Sequence, residues 1–477
     1  MTAPAHVAAS ITAGLADGLV AAGVRRLFGM PGGGPNLEMI GAAAARGLPF
    51  TLAHGETAAC VMAAAFGQLT GTPGVALVTR GPGLTSAVNG LAQATLDRAP
   101  LLLISDRVPA GQRRRVGHQR VDQLAVTAPV TRWNGVLGHT DPGATVAAAA
   151  ALALGPPAGA VHLDYDPGEP GDRPPVPPRP LPPDPGAMEQ ALALARGRSR
   201  PIVLIGAGAA AHATALRRVL DGSGVPTLTT YQAAGTVDTR CAEFGGLFTN
   251  SAAEHPLLAA ADLIIGVGLD GVEPMPGPWE QSAPTVLLHA EELDPGYYDG
   301  ALPVPGPLAD QLAALLAATV PVWPAGGAAR HRQRLLDALR VDPGFGPVTL
   351  ADALCRRLPD TQVTVDAGAH MLAVMPFCEP TGPHRLLISN GLATMGYAVP
   401  AAIGAALAGA ALGRAGERVL CLVGDGGLGM TLAELETLAR LALPVTVVVF
   451  DDAALSLIGV KQGPGQGGDA AVRFGPV

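Results

Sequence analysis

Residues 419–427 have the sequence VLCLVGDGG, and residues 445–452 have the sequence VTVVVFDD. Each stretch is a short apolar run that ends in a polar turn, and the segment between them suits a helix. The order strand, glycine-rich turn, helix and strand indicates one βαβ unit. Parallel strands place their carboxyl ends at one edge of a sheet, so Asp425 and Asp452 are expected to converge, although 27 residues separate them (452 − 425 = 27). Two carboxylates beside free backbone amides suit Mg²⁺ that bridges to a diphosphate.

The same alternation of strands and helices extends over the rest of the chain and predicts an α/β fold of three doubly wound parallel-sheet domains. Proline-rich segments at residues 167–185 and about 321–347 are predicted to be extended linkers. The domains are therefore expected at residues 1–168, 188–320 and 346–477. Nine strands are predicted, at residues 26–30, 50–54, 75–80, 101–105, 202–205, 263–267, 363–365, 419–423 and 445–450.

Composition narrows the function class. Of 477 residues, 48% are hydrophobic and 15% are charged, which favours packed globular domains. The net charge is −8 and the single basic cluster is Arg113–Arg115, so a nucleic-acid partner is not expected. The apolar runs are too short for a membrane span, and no signal peptide is predicted at the N-terminus. Five cysteines without metal-like or disulfide-like spacing indicate a cytoplasmic protein.

Several candidate residues also have plain structural interpretations. Glu56 could be an ordinary first-turn glutamate, or a carboxyl group whose apolar surroundings raise its pKa. Met395, in a glycine-rich turn, could be core packing. The turn at residues 206–208, Gly-Ala-Gly, follows a strand but lacks an acidic residue at the end of the next strand. It is interpreted first as a structural turn and second as a flavin or nucleotide site.

Taken together, the motifs resemble the thiamine diphosphate-dependent enzymes of the acetolactate synthase and 2-oxo-acid decarboxylase group, in particular the catalytic large subunit. The resemblance spans the whole chain, and its spacing from Asp425 to Asp452 equals the family's spacing between a metal-binding Asp and Asn. The other matching segments are residues 28–33, 54–59, 81–83, 159–164 and 391–396.

The resemblance implies a pyrimidine-binding, a central and a diphosphate-binding domain, with thiamine diphosphate and Mg²⁺ as cofactors. It implies catalytic roles for Glu56 and Gln119. Metal ligands would be Asp425, Asp452 and the carbonyl of Ala454. Cofactor contacts would come from Pro31, Gly32, Glu56, Gly368, Ala369, His370, Ala393, Met395, Gly424, Asp425, Gly426 and Gly427. The implied substrate is a 2-oxo acid such as pyruvate, and the implied assembly is a homodimer or homotetramer with neither nucleic acid nor membrane as a partner.

Some residues depart from the family pattern. Asp452 replaces the usual Asn, Ala393 replaces the usual Gly without expected harm, and His118 stands where synthases carry Phe. Residues 472–476 resemble the catabolic, flavin-free synthases, so FAD is not expected. The chain also ends before the last elements of the family's third domain, which is therefore expected to be incomplete. The expected activity is carboligation, and the alternatives are a simple 2-oxo-acid decarboxylase or an inactive truncated member.

Overall fold

The computed structural model describes residues 5–177, 179–291, 295–340, 344–463, 465–466 and 468–474. Within them, the strands form three parallel, open sheets. The first has the order β2-β1-β3-β4-β6-β5, the second β12-β11-β10-β7-β8-β9 and the third β14-β13-β15-β16. The strands are β1 Leu27–Met30, β2 Phe50–Leu52, β3 Gly74–Val78, β4 Leu101–Asp106, β5 Trp133–Leu137, β6 Ala160–Tyr165, β7 Pro201–Ile205, β8 Thr227–Thr229, β9 Phe244–Leu247, β10 Leu263–Val267, β11 Thr285–His289, β12 Leu302–Pro305, β13 Gln362–Val365, β14 Leu386–Ile388, β15 Val419–Gly424 and β16 Val445–Phe450.

Helices cover the sheets and supply the crossovers that parallel pairing requires. Strands β3, β4, β7 and β10 are buried along their whole length, as expected of sheets covered on both faces. The predicted fold class is therefore confirmed. The helices are α1 Ala5–Ala21, α2 Pro35–Ala44, α3 Glu56–Thr70, α4 Pro82–Leu96, α5 Gln123–Thr127, α6 Pro142–Leu154, α7 Pro185–Ala195, α8 Ala213–Leu220, α9 His255–Leu258, α10 Leu308–Ala318, α11 Gly327–Leu339, α12 Pro347–Arg357, α13 Ala369–Val374, α14 Ala398–Ala411, α15 Asp425–Thr431, α16 Glu434–Arg440 and α17 Ser456–Lys461.

One of the two predicted linkers is wrong. Residues 321–347 contain helix α11, because the prolines stand only at the ends of this segment and the residues between them are good helix formers. In the other proline-rich segment, residues 167–177 and 179–184 are irregular, and Pro185 occupies the first turn of α7. The domain boundaries at 168, 188, 320 and 346 stay predictions.

The first and third sheets are joined through two helices rich in small residues. Helices α3 and α14 contribute to one buried core, and a Cβ on Gly404 would lie 2.3 Å from the Met62 carbonyl oxygen. The absence of a side chain at Gly404 allows this close approach of the helices. A second link lies at the end of β2, where the His54 amide donates to Glu434 over 2.9 Å. The high alanine and glycine content of the chain thus serves domain packing.

All five cysteines are free thiols, as the sequence spacing suggested, although the Cys355 and Cys378 sulfurs lie 2.8 Å apart. Among the described helices, none is both long enough and apolar enough to cross a membrane.

Each sheet has a point at which the chain, having added strands on one side of the sheet's first strand, continues on the other side. It lies between β1 and β3 in the first sheet, between β7 and β10 in the second and between β13 and β15 in the third. The crossovers on either side of such a point diverge and leave a crevice at the carboxyl ends of the strands, where open α/β sheets bind ligands.

Candidate active site

The crevice of the third sheet is a cavity of about 650 Å³. Its walls come from the exits of β13, β15 and β16 and from the loop that precedes α14. Eleven residues predicted for the cofactor and metal line it: Gly368, Ala369, His370, Ala393, Met395, Gly424, Asp425, Gly426, Gly427, Asp452 and Ala454. The topology thus gathers segments that are far apart in the sequence.

Three carboxylates line this cavity, and two of them, Asp425 and Asp452, are the predicted metal ligands at neighbouring strand ends; the third is Asp451. Asp425 begins α15 directly after β15, and Asp452 follows β16. Asp452 accepts a short hydrogen bond from the Ser456 hydroxyl. The described residues contain no cluster of three or more His, Cys, Asp or Glu side chains able to hold a metal. A magnesium site here therefore depends on these two carboxylates and on a backbone carbonyl such as that of Ala454, all oxygen ligands of the kind that Mg²⁺ prefers.

His370 provides an unsatisfied polar atom beside the carboxylates. Its ring is buried and stacks on Phe450 with a centroid distance of 5.3 Å, and its Nε2 has no hydrogen-bond partner. Burial lowers the pKa of His370 to about 4, whereas the Leu422 backbone and the Asp452 carboxylate act in the opposite direction. A buried nitrogen without a partner is costly, so a polar group from outside the protein fits this position. A phosphate oxygen is such a group when Nε2 carries a proton, since the neutral ring has a single N–H.

Ala393 and Met395 enter the cavity on the loop that leads to α14. Ala393 has a φ of 55°, in the left-handed region that costs an L-residue about 1–2 kcal/mol. Alanine at this position, where the resemblance implies glycine, therefore carries a conformational cost that the sequence alone did not reveal. Met395 is half-buried and lines the cavity, so it is not simple core packing.

A second group of predicted residues lies at the carboxyl ends of β1, β2 and β3. Glu56 begins α3, and a Cβ on Gly83 would lie 3.4 Å from its Oε1. Gly32 packs on Thr79, with its Cβ position 2.3 Å from the Thr79 hydroxyl. Burial raises the pKa of Glu56. Burial thus makes this carboxyl group hold a proton more readily than a free glutamate does.

Gln119 and Pro31 complete the second group. Gln119 is exposed with a φ of 55°, and its backbone oxygen lies 2.6 Å from the Cβ position of Gly81, at the β3 exit. Pro31 directly follows β1. None of Pro31, Gly32, Glu56 and Gln119 lines the cavity of the third sheet. One chain thus carries two separate sets of candidate residues.

In the central domain, the Glu273 carboxylate accepts hydrogen bonds from the glycine-rich turn that follows β7. Both oxygens of Glu273 accept from the Ala207 amide at 3.1 Å, and the Thr230 hydroxyl and the Asp270 amide also donate to Glu273. Glu273 is buried, and burial raises its pKa to about 7. The acidic partner missing from the sequence pattern therefore exists, but it binds the turn itself.

Three segments of the chain match descriptions of one protein family. Residues 10–126 match the thiamine pyrophosphate enzyme N-terminal binding domain, residues 188–315 the central domain and residues 366–475 the C-terminal binding domain. A catabolic acetolactate synthase from Raoultella terrigena is 30% identical over 96% of this chain and 86% of its own length. The chain belongs to the thiamine pyrophosphate enzymes.

Other relatives cover similar lengths. The acetolactate synthase of Bacillus subtilis (strain 168) is 29% identical over 97% of this chain and 84% of its own length. The acetolactate synthase large subunit of Parasynechococcus marenigrum (strain WH8102) is 30% identical over 92% of this chain and 76% of its own length. This thiamine pyrophosphate enzyme is therefore similar to acetolactate synthases over nearly its whole sequence.

Sequence reasoning missed two buried carboxylates that support the site of this thiamine pyrophosphate enzyme. Asp366 follows β13 and accepts from the Gly396 amide at 2.9 Å, while Asp97 follows α4 and accepts from the Gly391 amide at 2.6 Å. Asp366 shares with Asp425 and Asp452 the pattern of an acid at a strand end, so a signal for it existed. Asp97 had no such signal, because its partner belongs to another domain.

Proposed function

We propose that this chain is a thiamine diphosphate- and Mg²⁺-dependent carboligase of the acetolactate synthase type. The observation that supports it best is the cavity of the third sheet, in which the Asp425 and Asp452 carboxylates, the unpartnered His370 nitrogen and a glycine-rich turn meet. The bound cofactor would supply the electron sink that allows a 2-oxo acid to lose CO₂ and its remaining carbons to join a second carbonyl. The names of the relatives support this reaction type.

The residues of the cavity would bind and orient the cofactor. Asp425, Asp452 and the Ala454 carbonyl would hold Mg²⁺, and His370 with the 424–427 turn would bind the diphosphate. Met395 would support a bent cofactor, and the Ala393 carbonyl would accept a hydrogen bond from it. These roles need only groups that line the cavity.

The residues of the first sheet would act on the other end of the cofactor. Glu56 would hold a proton against a ring nitrogen, which its raised pKa supports. Pro31 and Gly32 would contact the same ring, and Gln119 would lie near the 2-oxo acid. Pyruvate is the proposed substrate because the relatives are acetolactate synthases.

A homodimer, or a tetramer built from two such dimers, is proposed because the two sets of residues do not share a cavity within one chain. Large apolar side chains stay exposed beside each set: Met30 (41%) and Leu37 (58%) near the first, and Met430 (58%) and Ile458 (51%) near the third sheet. Pairing the two faces across a dimer would bury these side chains and complete the site. A stable monomer that turns over substrate, detected by sedimentation, would refute this assembly.

A flavin-free enzyme in the cytoplasm is also proposed. Glu273 already accepts the Ala207 amide, and a flavin pyrophosphate at that turn would meet a buried carboxylate. Free thiols at all five cysteines suit a reducing compartment. A purified protein with stoichiometric flavin would contradict the first part.

The test is calorimetric titration of thiamine diphosphate with Mg²⁺, followed by product analysis with pyruvate. Binding with formation of acetolactate is expected, whereas acetaldehyde alone would indicate a decarboxylase and no binding an inactive member. Asp425→Asn should abolish binding. Glu189→Gln removes an exposed carboxylate from α7 and serves as the charge-matched control.

A further inference from the structure

The loop that carries Met395 is anchored at both ends by buried carboxylates. At its start, the Gly391 amide donates to Asp97 over 2.6 Å. At its end, the Gly396 amide donates to both oxygens of Asp366, at 2.9 and 3.1 Å. Between these anchors, the Thr394 amide donates to the Ser389 hydroxyl over 3.0 Å. The backbone on both sides of Met395 is thus fixed by hydrogen bonds that involve no ligand.

Asp366 is the centre of this arrangement. It is fully buried, and besides Gly396 it accepts from its neighbour Ala367 at 2.8 Å and from Ala398, the first residue of α14, at 3.4 Å. A Cβ on Gly427 would lie 2.7 Å from its Oδ2. One side chain therefore contacts the β13 exit, the Met395 loop and the turn after β15, which are three walls of the cavity.

The chemistry of these contacts requires a carboxylate. The amides of Ala367, Gly396 and Ala398 are all donors, and a carboxylate accepts with both oxygens. Burial raises the pKa of Asp366 to about 6, while the backbone amides act in the opposite direction. An asparagine would keep one acceptor oxygen and turn its NH₂ group toward an amide donor, which leaves a buried donor without a partner.

We propose that Asp366 is a positioning residue that holds the Met395 loop in its cofactor-bending position before the cofactor binds. The proposal rests on the proposed function, because Met395 is assigned there as the support of the bent cofactor. It adds that the support is preorganised by a carboxylate that does not itself line the cavity. Preorganisation matters because a displacement of about 1 Å at a reacting group can reduce a rate by about a hundredfold.

The test compares Asp366→Asn with Thr364→Val. Thr364 lies on β13, two residues before Asp366, is equally buried, and its hydroxyl donates to the Ala398 carbonyl over 2.9 Å rather than accepting from a loop amide. Thr364→Val therefore removes a buried hydrogen bond to the same helix start and controls for loss of stability. Both variants are measured as full-length protein.

The first readout uses cofactor-free protein. Hydrogen–deuterium exchange of the peptide that contains Gly396 should be at least about fivefold faster in Asp366→Asn than in the wild type, the loss expected for one hydrogen bond. Thr364→Val should match the wild type. Equal exchange in wild type and Asp366→Asn would overturn the proposal. If Asp366→Asn does not fold, the test is the exchange of the Gly396 amide in the cofactor-free wild type. Slow exchange would support a preformed loop, and an unprotected amide would refute it.

The second readout uses thiamine diphosphate with Mg²⁺. The exchange of the cofactor's C2 proton with D₂O should slow by about a hundredfold in Asp366→Asn but by less than about twofold in Thr364→Val. Equal slowing in both variants would reduce Asp366 to a stability role and overturn the proposal. If the wild type binds no cofactor, the proposed function fails, and the exchange at Gly396 still decides whether Asp366 fixes the loop.

Discussion

Replacing His370 with phenylalanine distinguishes a contact between the Nε2 nitrogen and the cofactor from the packing of the ring on Phe450. The phenyl ring can keep the stacking on Phe450, while the unpartnered Nε2 disappears. Because that nitrogen forms no hydrogen bond within the described protein, its loss should not lower the stability of the cofactor-free protein. Any lower stability of the variant would report the lost contact between the ring and the Leu422 backbone. The affinity for thiamine diphosphate should fall if the nitrogen binds a phosphate oxygen.

The size of the effect follows from the environment of His370. Burial lowers its pKa to about 4, so the ring of the cofactor-free protein is neutral at pH 7 and has a single N–H. A hydrogen bond from Nε2 to a phosphate oxygen therefore requires that Nε2 carries a proton in the complex. Such a bond contributes about 1.5–3 kcal/mol. Its loss in His370→Phe corresponds to a dissociation constant for thiamine diphosphate that is roughly tenfold to 150-fold larger. A bound anion raises the pKa of the histidine, so the advantage of the wild type should grow as pH falls from 8 toward 5.

Calorimetry with saturating Mg²⁺ measures the affinities, and thermal unfolding measures the stabilities. His331→Phe is the matched control, because the His331 Nε2 is also buried without a partner but lies on α11, outside the cavity. It should leave cofactor affinity unchanged. If His370→Phe binds the cofactor as tightly as the wild type, His370 does not contact the diphosphate.

Three further substitutions test other parts of the site. Glu56→Gln should reduce turnover by a factor of about 10²–10⁴ with cofactor binding nearly intact, because an amide cannot exchange the proton. The control is Glu38→Gln, in the first turn of α2, and equal rates in both variants would make Glu56 a plain helix-start residue. Asp452→Asn should tighten cofactor binding at saturating Mg²⁺ by about 1 kcal/mol, since the exposed Asp452 carboxylate repels the phosphates weakly. The same variant should bind Mg²⁺ more weakly when the cofactor is absent. Weaker cofactor binding in calorimetry would refute this charge argument. Ala393→Gly should raise the free energy of unfolding by about 0.5–1 kcal/mol, since relief of the left-handed φ exceeds the entropy lost to glycine; a lower melting temperature would contradict it.

The fold was predictable because its signals are local. Apolar runs such as residues 445–450 match the observed strands, and glycine or carboxylate residues mark their ends. Since parallel sheets bring these ends together, the cavity around Asp425 and Asp452 followed from topology. Helix α11 was missed because proline content was averaged over a segment whose prolines stand at its ends.

The contacts between distant segments could not be predicted. Asp97 and Gly391 lie 294 positions apart in the sequence. No periodicity of the sequence indicates that the Asp97 carboxylate accepts a hydrogen bond from the Gly391 amide. The same holds for Glu273, whose contact with the Ala207 amide depends on how two loops meet. The φ of Ala393 likewise required coordinates, because alanine by itself does not indicate a left-handed backbone.

A crystal structure grown with thiamine diphosphate and Mg²⁺ would show where the cofactor binds. We expect the diphosphate beside the His370 Nε2, Mg²⁺ between Asp425 and Asp452, the ring system over Met395, and Glu56 of the partner subunit at the pyrimidine. Density for the cofactor elsewhere, or an empty third-sheet cavity at saturating cofactor, would contradict it.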